Sequence, residues 1–228
     1  MPLLPRRLSR VVASTGLALM ALGAYAVAPS RSASARLASA APESVVVLET
    51  AVGQLAIELF PADAPRTAAN FRKLVNEHFY DGLTFHRVAP GFVVQGGDPN
   101  SRDENPFNDG QGGPGYTLPA EIKRAHVRGA VAMARRGDTE NPNRESNGSQ
   151  FYIALRDLPQ LDGAYTVFGQ VIVGWDTVDS LVALSERRDI ARQGNNANPG
   201  RLALIRHARL EPAARWRSRV LAKTHSRR

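Results

Sequence analysis

Residues 85–98 read Phe85-His86-Arg87-Val88-Ala89-Pro90-Gly91-Phe92-Val93-Val94-Gln95-Gly96-Gly97-Asp98. Apolar residues run up to Pro90-Gly91 and resume after it, and a Pro-Gly pair interrupts a strand and starts a turn. With Asp81-Gly82 turning the chain into it, the stretch Leu83 to Val94 predicts two short strands back to back. Every other element is placed by working outward from this pair.

Toward the N-terminus, Ser44–Glu49 and Gln54–Phe60 alternate around a turn near Val52-Gly53, which predicts a hairpin. Pro61-Ala62-Asp63-Ala64-Pro65 ends the second strand and offers an Asp N-cap and an early Pro for a helix. Phe71, Leu74, Val75 and His78 then fall at i, i+3, i+4 and i+7, so a helix over about 65–78 buries one face. Toward the C-terminus, residues 96–119 form a long Gly- and Pro-rich loop, of a kind usually kept for function. Gly129–Ala134, Gln150–Leu155, Thr166–Val173 and Leu202–Leu210 are strand-like, and Trp175, Val178, Leu181 and Val182 mark a second helix. The strands are joined mostly by turns, which argues for a mainly β, antiparallel architecture. Eight such strands can close into a barrel filled by side chains.

The chain has 228 residues, 43% of them hydrophobic, and no cysteine. That suits one domain with spare chain at its ends. The missing cysteines exclude a disulfide scaffold, thiolate zinc, iron–sulfur clusters and thiol nucleophiles. The formal charge of +8 sits at the ends: residues 1–42 hold five arginines and no acid, and residues 213–228 hold six Lys/Arg and no acid. Between them, 18 basic and 21 acidic residues leave a mildly acidic body, so no nucleic-acid partner is expected.

Arg6, Arg7 and Arg10 precede the apolar run Val11–Ala28, and Ala24-Tyr25-Ala26, Ala33-Ser34-Ala35 and Ala38-Ser39-Ala40 offer cleavage sites. Residues 1–40 therefore read as a signal peptide and spacer, with an uncleaved anchor as the alternative, and a periplasmic or otherwise exported location is expected. The folded domain is assigned to 44–212 and a basic tail to 213–228. Ala213, Trp216 and Val220 share a helical spacing in that tail. A weak contact with an anionic membrane surface is one reading of it; a frayed, solvated tail is the favoured one.

Neither a metal site nor a cofactor is expected. No two of His78, His86, His126, His207 and His225 stand at ligand spacing, and GQGGPG at 110–115 lacks the Lys/Ser helix opening of a phosphate cradle. Gly148-Ser149-Gln150 lacks the second glycine of a nucleophile elbow.

Against this background the opening segment, followed by Met133-Ala134-Arg135, Asn147-Gly148-Ser149-Gln150-Phe151-Tyr152-Ile153, Leu161-Asp162-Gly163 and Val167-Phe168-Gly169, resembles the cyclophilin family of peptidyl-prolyl isomerases. The likeness runs from about Ser44 to Leu210. It implies a closed eight-stranded antiparallel β-barrel capped by two α-helices, accelerating rotation of Xaa-Pro bonds without cofactor in proline-containing polypeptides; the alternative is a non-catalytic proline-peptide binding module or holdase, and a monomer is expected. It also implies roles: Arg87, Phe92 and Gln95 as catalytic residues, with Arg87 donating to the prolyl nitrogen, Phe92 flooring the proline pocket and Gln95 holding the substrate backbone. Val93, Tyr152 and Leu161 would wall the pocket, while Ala134, the backbone of Arg135, and Gln150 would line the adjoining groove. Tyr165 stands where many relatives carry His and would give a polar rim contact. His86 is expected to be a satisfied buried polar group beside the core aromatic Phe85. Gln160 replaces a Trp found in some relatives, so only weak cyclosporin binding is expected. The charged insert Arg135–Ser146 borders the groove, either tuning which peptides enter or standing as a solvated loop.

Overall fold

The computed structural model describes residues 44–103, 105–187, 190–193 and 196–225. The expected signal peptide and spacer at 1–40 lie outside these residues. The expected hairpin is present as β1 (Ser44–Thr50) and β2 (Gly53–Leu59), followed by α1 (Pro65–Asn76). The Pro90-Gly91 pair joins β3 (Arg87–Ala89) to β4 (Val93–Gly96). Next come β5 (Ala130–Met133), β6 (Phe151–Ala154), β7 (Val167–Val173) and α2 (Trp175–Ser185). The described residues close with β8 (Ala191–Gln193), β9 (Asn196–Asn198), β10 (Ile205–Pro212) and α3 (Ala213–His225).

The strands form one sheet in the order β10-β1-β2-β7-β5-β6-β4-β3-β9-β8, antiparallel throughout. The expected count of eight strands and two helices is corrected to ten strands and three α-helices among the described residues. The β8–β9 hairpin escapes sequence reading because Arg-Gln-Gly-Asn-Asn-Ala-Asn has no apolar alternation to read. Beyond the ladders, Thr84 bridges Leu204, with Phe85 N donating to Ala203 O at 3.0 Å and Ile205 N to Leu83 O at 2.7 Å. The segment entering β3 is thereby tied to the segment entering β10.

Helix α1 packs Phe71, Leu74 and Val75 into the core as their spacing predicts, but it ends at Asn76, and His78, expected to complete the stripe, lies beyond it and is exposed. Phe71 meets Tyr80, Phe151 and Phe168 at ring-centroid distances of 4.9, 5.3 and 4.9 Å, so one helix face anchors β6, β7 and the turn that follows the helix. Its cap is not the expected Asp63. Ala64 occupies the N-cap without a side-chain bond. The Glu121 carboxylate, 54 and 55 residues away, accepts instead from Thr67 N at 2.9 Å and Arg66 N at 3.0 Å. A distant carboxylate thus satisfies donors that a local Asp would otherwise take.

The C-terminal segment is also corrected. It begins a helix at Ala213, but the favoured reading of a solvated tail does not hold: Ala213 and Trp216 are buried on Val45, Val47 and Ala56. Trp216 Nε1 donates to Glu211 Oε2 at 2.7 Å. This corrects the expected alternation of β1, which carries the continuous apolar run Val45-Val46-Val47-Leu48. Val46 and Leu48 face the main core while Val45 and Val47 lie under α3, so both faces of the strand are covered.

Candidate active site

The β3–β4 register places Arg87 opposite Gln95. Arg87 Nη1 donates to Gln95 Oε1 at 3.0 Å, and Arg87 Nε donates to Asn196 Oδ1 of β9 at 2.9 Å. Gln95 Nε2 donates in turn to Gln150 Oε1 at 3.0 Å, and Gln150 Nε2 to Gly112 O at 2.7 Å. The guanidinium is therefore held at two corners by a chain of amides, with its remaining N–H groups left for something else. It is half-buried, and that burial lowers its pKa from the ordinary arginine value, Tyr165 opposing. An arginine stays protonated regardless.

A cavity of about 210 Å³ opens beside it. Arg87 and Gln95 stand on one side, and Phe92, Val93, Tyr152 and Leu161 supply apolar surface. Ala134, Arg135 and Tyr165 complete the lining. Nine of the ten residues singled out from sequence meet here. The tenth, Gln150, reaches the site through Gln95. Phe92 lies with its ring centroid 5.9 Å from Arg87 Cζ.

Register positions these groups. Gln95 pairs with Tyr152 between β4 and β6, and Ala132 pairs with Tyr152 between β5 and β6, so three strands deliver side chains to one patch. Gly97 turns the chain out of β4 with φ of 86°, where a Cβ would stand 2.4 Å from Ser149 O, so glycine is required there. The turn before β6 is held by Asn147 Oδ1, which accepts from Gln150 N at 3.0 Å.

Two site features were not legible in advance. Behind the pocket wall, Tyr152 Oη lies 2.9 Å from His126 Nε2, and His126 Nδ1 lies 2.9 Å from Asp162 Oδ1. His126 stacks on Tyr152 at an interplanar angle of 11°. Hydrogen bonds from the His126 ring and backbone hold Asp162 below the usual carboxylate range, and burial pushes the Tyr152 phenol well above its own. His126 read as a lone histidine; only its chain separation of 36 residues from Asp162, closed by the fold, makes the pair. Asn196 was missed with its hairpin.

Arg135 was expected to contribute its backbone alone. Its side chain also lines the cavity: Nε donates to Ala164 O at 2.7 Å, Nη1 pairs with Asp138 at 2.6 Å, and Cζ sits 4.5 Å from the Tyr165 ring centroid. Asp138 also takes Arg144 Nη2 at 2.9 Å, and Arg144 Nη1 donates to Gly163 O at 2.6 Å. The 135–146 insert is thus tied to the groove wall. His86 departs from expectation as well. It is buried at 4% exposure, yet its ring makes no regular hydrogen bond, only a weaker interaction with the Thr84 backbone.

The family described as "Cyclophilin type peptidyl-prolyl cis-trans isomerase/CLD" matches residues 45–206. Peptidyl-prolyl cis-trans isomerase B of Bacillus subtilis (strain 168) is 48% identical over 131 residues, 56% of this chain and 82% of that protein. A probable peptidyl-prolyl cis-trans isomerase of Brucella suis biovar 1 is 44% identical over 172 residues, 72% of this chain and 83% of its own. A crystal structure of a Cryptosporidium parvum cyclophilin type isomerase, determined in the presence of the dipeptide Ala-Pro, superposes with a TM-score of 0.59. It is 30% identical and spans 73% of this chain and 98% of that one. The chain belongs to the cyclophilin-type peptidyl-prolyl cis-trans isomerases, and it is an enzyme of that type.

Proposed function

We propose that the cavity over Phe92 receives a proline ring and that Arg87 accelerates rotation of the preceding amide bond. One juxtaposition carries the reading: a half-buried guanidinium, fixed at Nε and Nη1, stands at the edge of a cavity of about 210 Å³ to which Phe92, Val93, Tyr152 and Leu161 give an apolar side. The barrier of about 18–20 kcal/mol arises because the nitrogen lone pair is conjugated into the carbonyl. In the planar ground state that nitrogen accepts no hydrogen bond. In the twisted transition state the lone pair localises and becomes an acceptor. A donor aimed at it binds the transition state better than the ground state, which is what lowers a barrier. No bond breaks and no net proton moves, so a permanently charged donor suits the task better than a titrating one. Gln95, fixed between Arg87 and Gln150, has the reach to hold the substrate backbone on the side that does not rotate. Phe92, Val93, Tyr152 and Leu161 would hold the ring by burial of apolar surface.

The same reading takes the sheet as a closed barrel, supported by the Thr84–Leu204 bridge between its distant segments. It also takes the chain as exported, supported by the arginines and apolar run of residues 6–28. The mechanism is tested by NMR exchange on a short Xaa-Pro peptide with the full chain and its Arg87→Ala variant. Accelerated exchange that collapses in the variant supports it. Acceleration that survives in the variant overturns the role of Arg87, and no acceleration by the unaltered chain overturns the reading altogether.

A further inference from the structure

A second cavity, of about 460 Å³, lies against the other flank of Arg87 and Gln95, which line both it and the proline cavity. Its remaining walls come from His86, from the 96–119 loop through Phe107 and Asp109, and from β9 through Asn198. Two segments distant in sequence are joined to build it, since Asn198 Nδ2 donates to Asp109 Oδ2 at 2.6 Å. None of this is required to hold a proline ring.

The chemistry of the walls is specific. Phe107 is 88% exposed at the mouth, an aromatic face with little else to cover it. Asp109 is the one acidic side chain lining the cavity; its Oδ2 accepts from Asn198, and its Oδ1 is buried without a hydrogen-bond partner. His86 lines the same cavity with its ring nitrogens buried and without a regular hydrogen bond, its ring drawing only on the Thr84 backbone. Of the cations, Arg87 has its Nε and Nη1 committed to Asn196 and Gln95. Burial, reinforced by Asp98 and Asp103, holds the Asp109 carboxyl above its ordinary range despite the Asn198 bond. A positive charge placed there would relieve that crowding, and a cation over an aromatic face is attracted in addition.

We infer that this second cavity is a specificity pocket for a Lys or Arg side chain in a residue flanking the substrate proline, with Asp109 as its counter-charge and Phe107 as its apolar lip. The inference rests on the proposed role of Arg87, because a peptide aligned on that residue for rotation must pass between the two cavities. Residues adjacent along a chain have Cα atoms 3.8 Å apart, so a near neighbour of the proline can reach the second cavity while the ring fills the first.

The test uses the full chain with an alanine-flanked Xaa-Pro reference peptide and a panel carrying Lys or Glu at each nearby position in turn. The expected result is a kcat/KM ratio of Lys to Glu peptide of about fivefold or more at one position, the scale of one partly exposed ion pair. In Asp109→Asn that ratio falls to within about twofold of unity, and in Phe107→Ala, which alters an exposed ring only, it falls part of the way. The ratio is internal to each variant, so a loss of folded protein lowers both rates and leaves it unmoved. Turnover of the reference peptide with no charge preference at any position overturns the pocket and leaves the isomerase mechanism standing. A preference that persists in Asp109→Asn overturns the assignment to Asp109. No turnover of the reference peptide overturns both readings together.

Discussion

Arg87 and Gln95 face each other across the β3–β4 ladder and are joined by an Nη1–Oε1 hydrogen bond of 3.0 Å. Asn196 holds the Nε corner at 2.9 Å, so the guanidinium plane is set by two strands at once. Substituting Arg87 by Ala removes the donor and should lower kcat/KM on an Xaa-Pro peptide by about 10²-fold or more, the usual loss for a preorganised donor. Arg87→Lys keeps the charge but cannot serve both amides and the substrate, and should recover only part of that loss. Protease-coupled rates for the two variants side by side separate geometry from charge; equal, near-complete recovery by Lys would mean that charge alone suffices.

The Tyr152 hydroxyl has a different task. It meets His126 Nε2 at 2.9 Å behind the pocket wall, not in the cavity. Tyr152→Phe keeps the apolar ring and leaves a buried imidazole nitrogen without a partner, which should cost about 1–3 kcal/mol of stability. Peptide turnover should change by less than about threefold, since the apolar wall that the ring provides is kept. Urea unfolding and kcat/KM measured on the same variant check this split, and a large loss of turnover at unchanged stability would place the hydroxyl in the chemistry instead.

How far this site could be read in advance depended on whether its signals were local. Arg87, Phe92, Val93 and Gln95 lie within nine residues of one another in the segment that carries the family resemblance, and it is the resemblance that names them as site residues; the strand-turn-strand pattern alone gives only the pairing. Most of the element order was equally legible, because the hairpin, α1 and β5 to β7 carry their own period. What could not be read were long-range satisfactions. Glu121 at the α1 N-terminus, Asp162 on His126 and Asn196 on Arg87 each join residues 36 to 109 apart and leave no trace in a sliding window. The docked C-terminal helix did leave one: four successive apolar residues in β1 signal that both faces of that strand are covered.

His86 supplies a pH signature. Burial, with the adjacent Arg87 charge, pushes its imidazole down to about 4, against the opposing pull of Asp98. The unfolded chain therefore takes up a proton at this residue well before the folded one does. The resulting stability is fully present above the ordinary histidine range and is lost as pH falls from about 6.5 toward about 4. Denaturant titrations across that window should show a falling free energy, and His86→Gln should flatten that slope. An unchanged slope in the variant would assign the acid sensitivity to the carboxylates.

Glu121 should behave as a helix cap supplied from outside the helix. Its carboxylate accepts from Arg66 N, Thr67 N and Thr67 Oγ1 at 3.0, 2.9 and 2.8 Å. Glu121→Ala should cost about 1 kcal/mol, the scale of losing an N-cap. Hydrogen exchange should speed up first at the amides of Arg66 and Thr67. Uniform loss of protection throughout the domain would point to a wider packing role for the 119–124 segment.

The last prediction concerns the C-terminal helix, and it distinguishes a docked element from an appendage. Trp216 is 1% exposed, packs with Val45, Val47 and Ala56, and donates to Glu211, which also accepts from Arg209 Nε at 2.8 Å and pairs with Arg215 at 3.2 Å. Trp216→Ala removes a large buried ring and should cost about 3–5 kcal/mol. Glu211 adds a pH term of known sign. Partial burial opposes ionisation, but the Trp216 and Arg209 hydrogen bonds prevail and hold its pKa below the ordinary Glu value of 4.5. A carboxylate depressed in the folded state stabilises above its unfolded pKa, and that contribution is lost as pH falls through the folded one. Stability of the unaltered chain should therefore drop below about pH 4.5, with Glu211→Gln removing part of that drop and lowering stability at neutral pH. A Trp216→Ala variant as stable as the parent would mean that α3 contributes nothing to holding the sheet, and the covered face of β1 would then need another explanation.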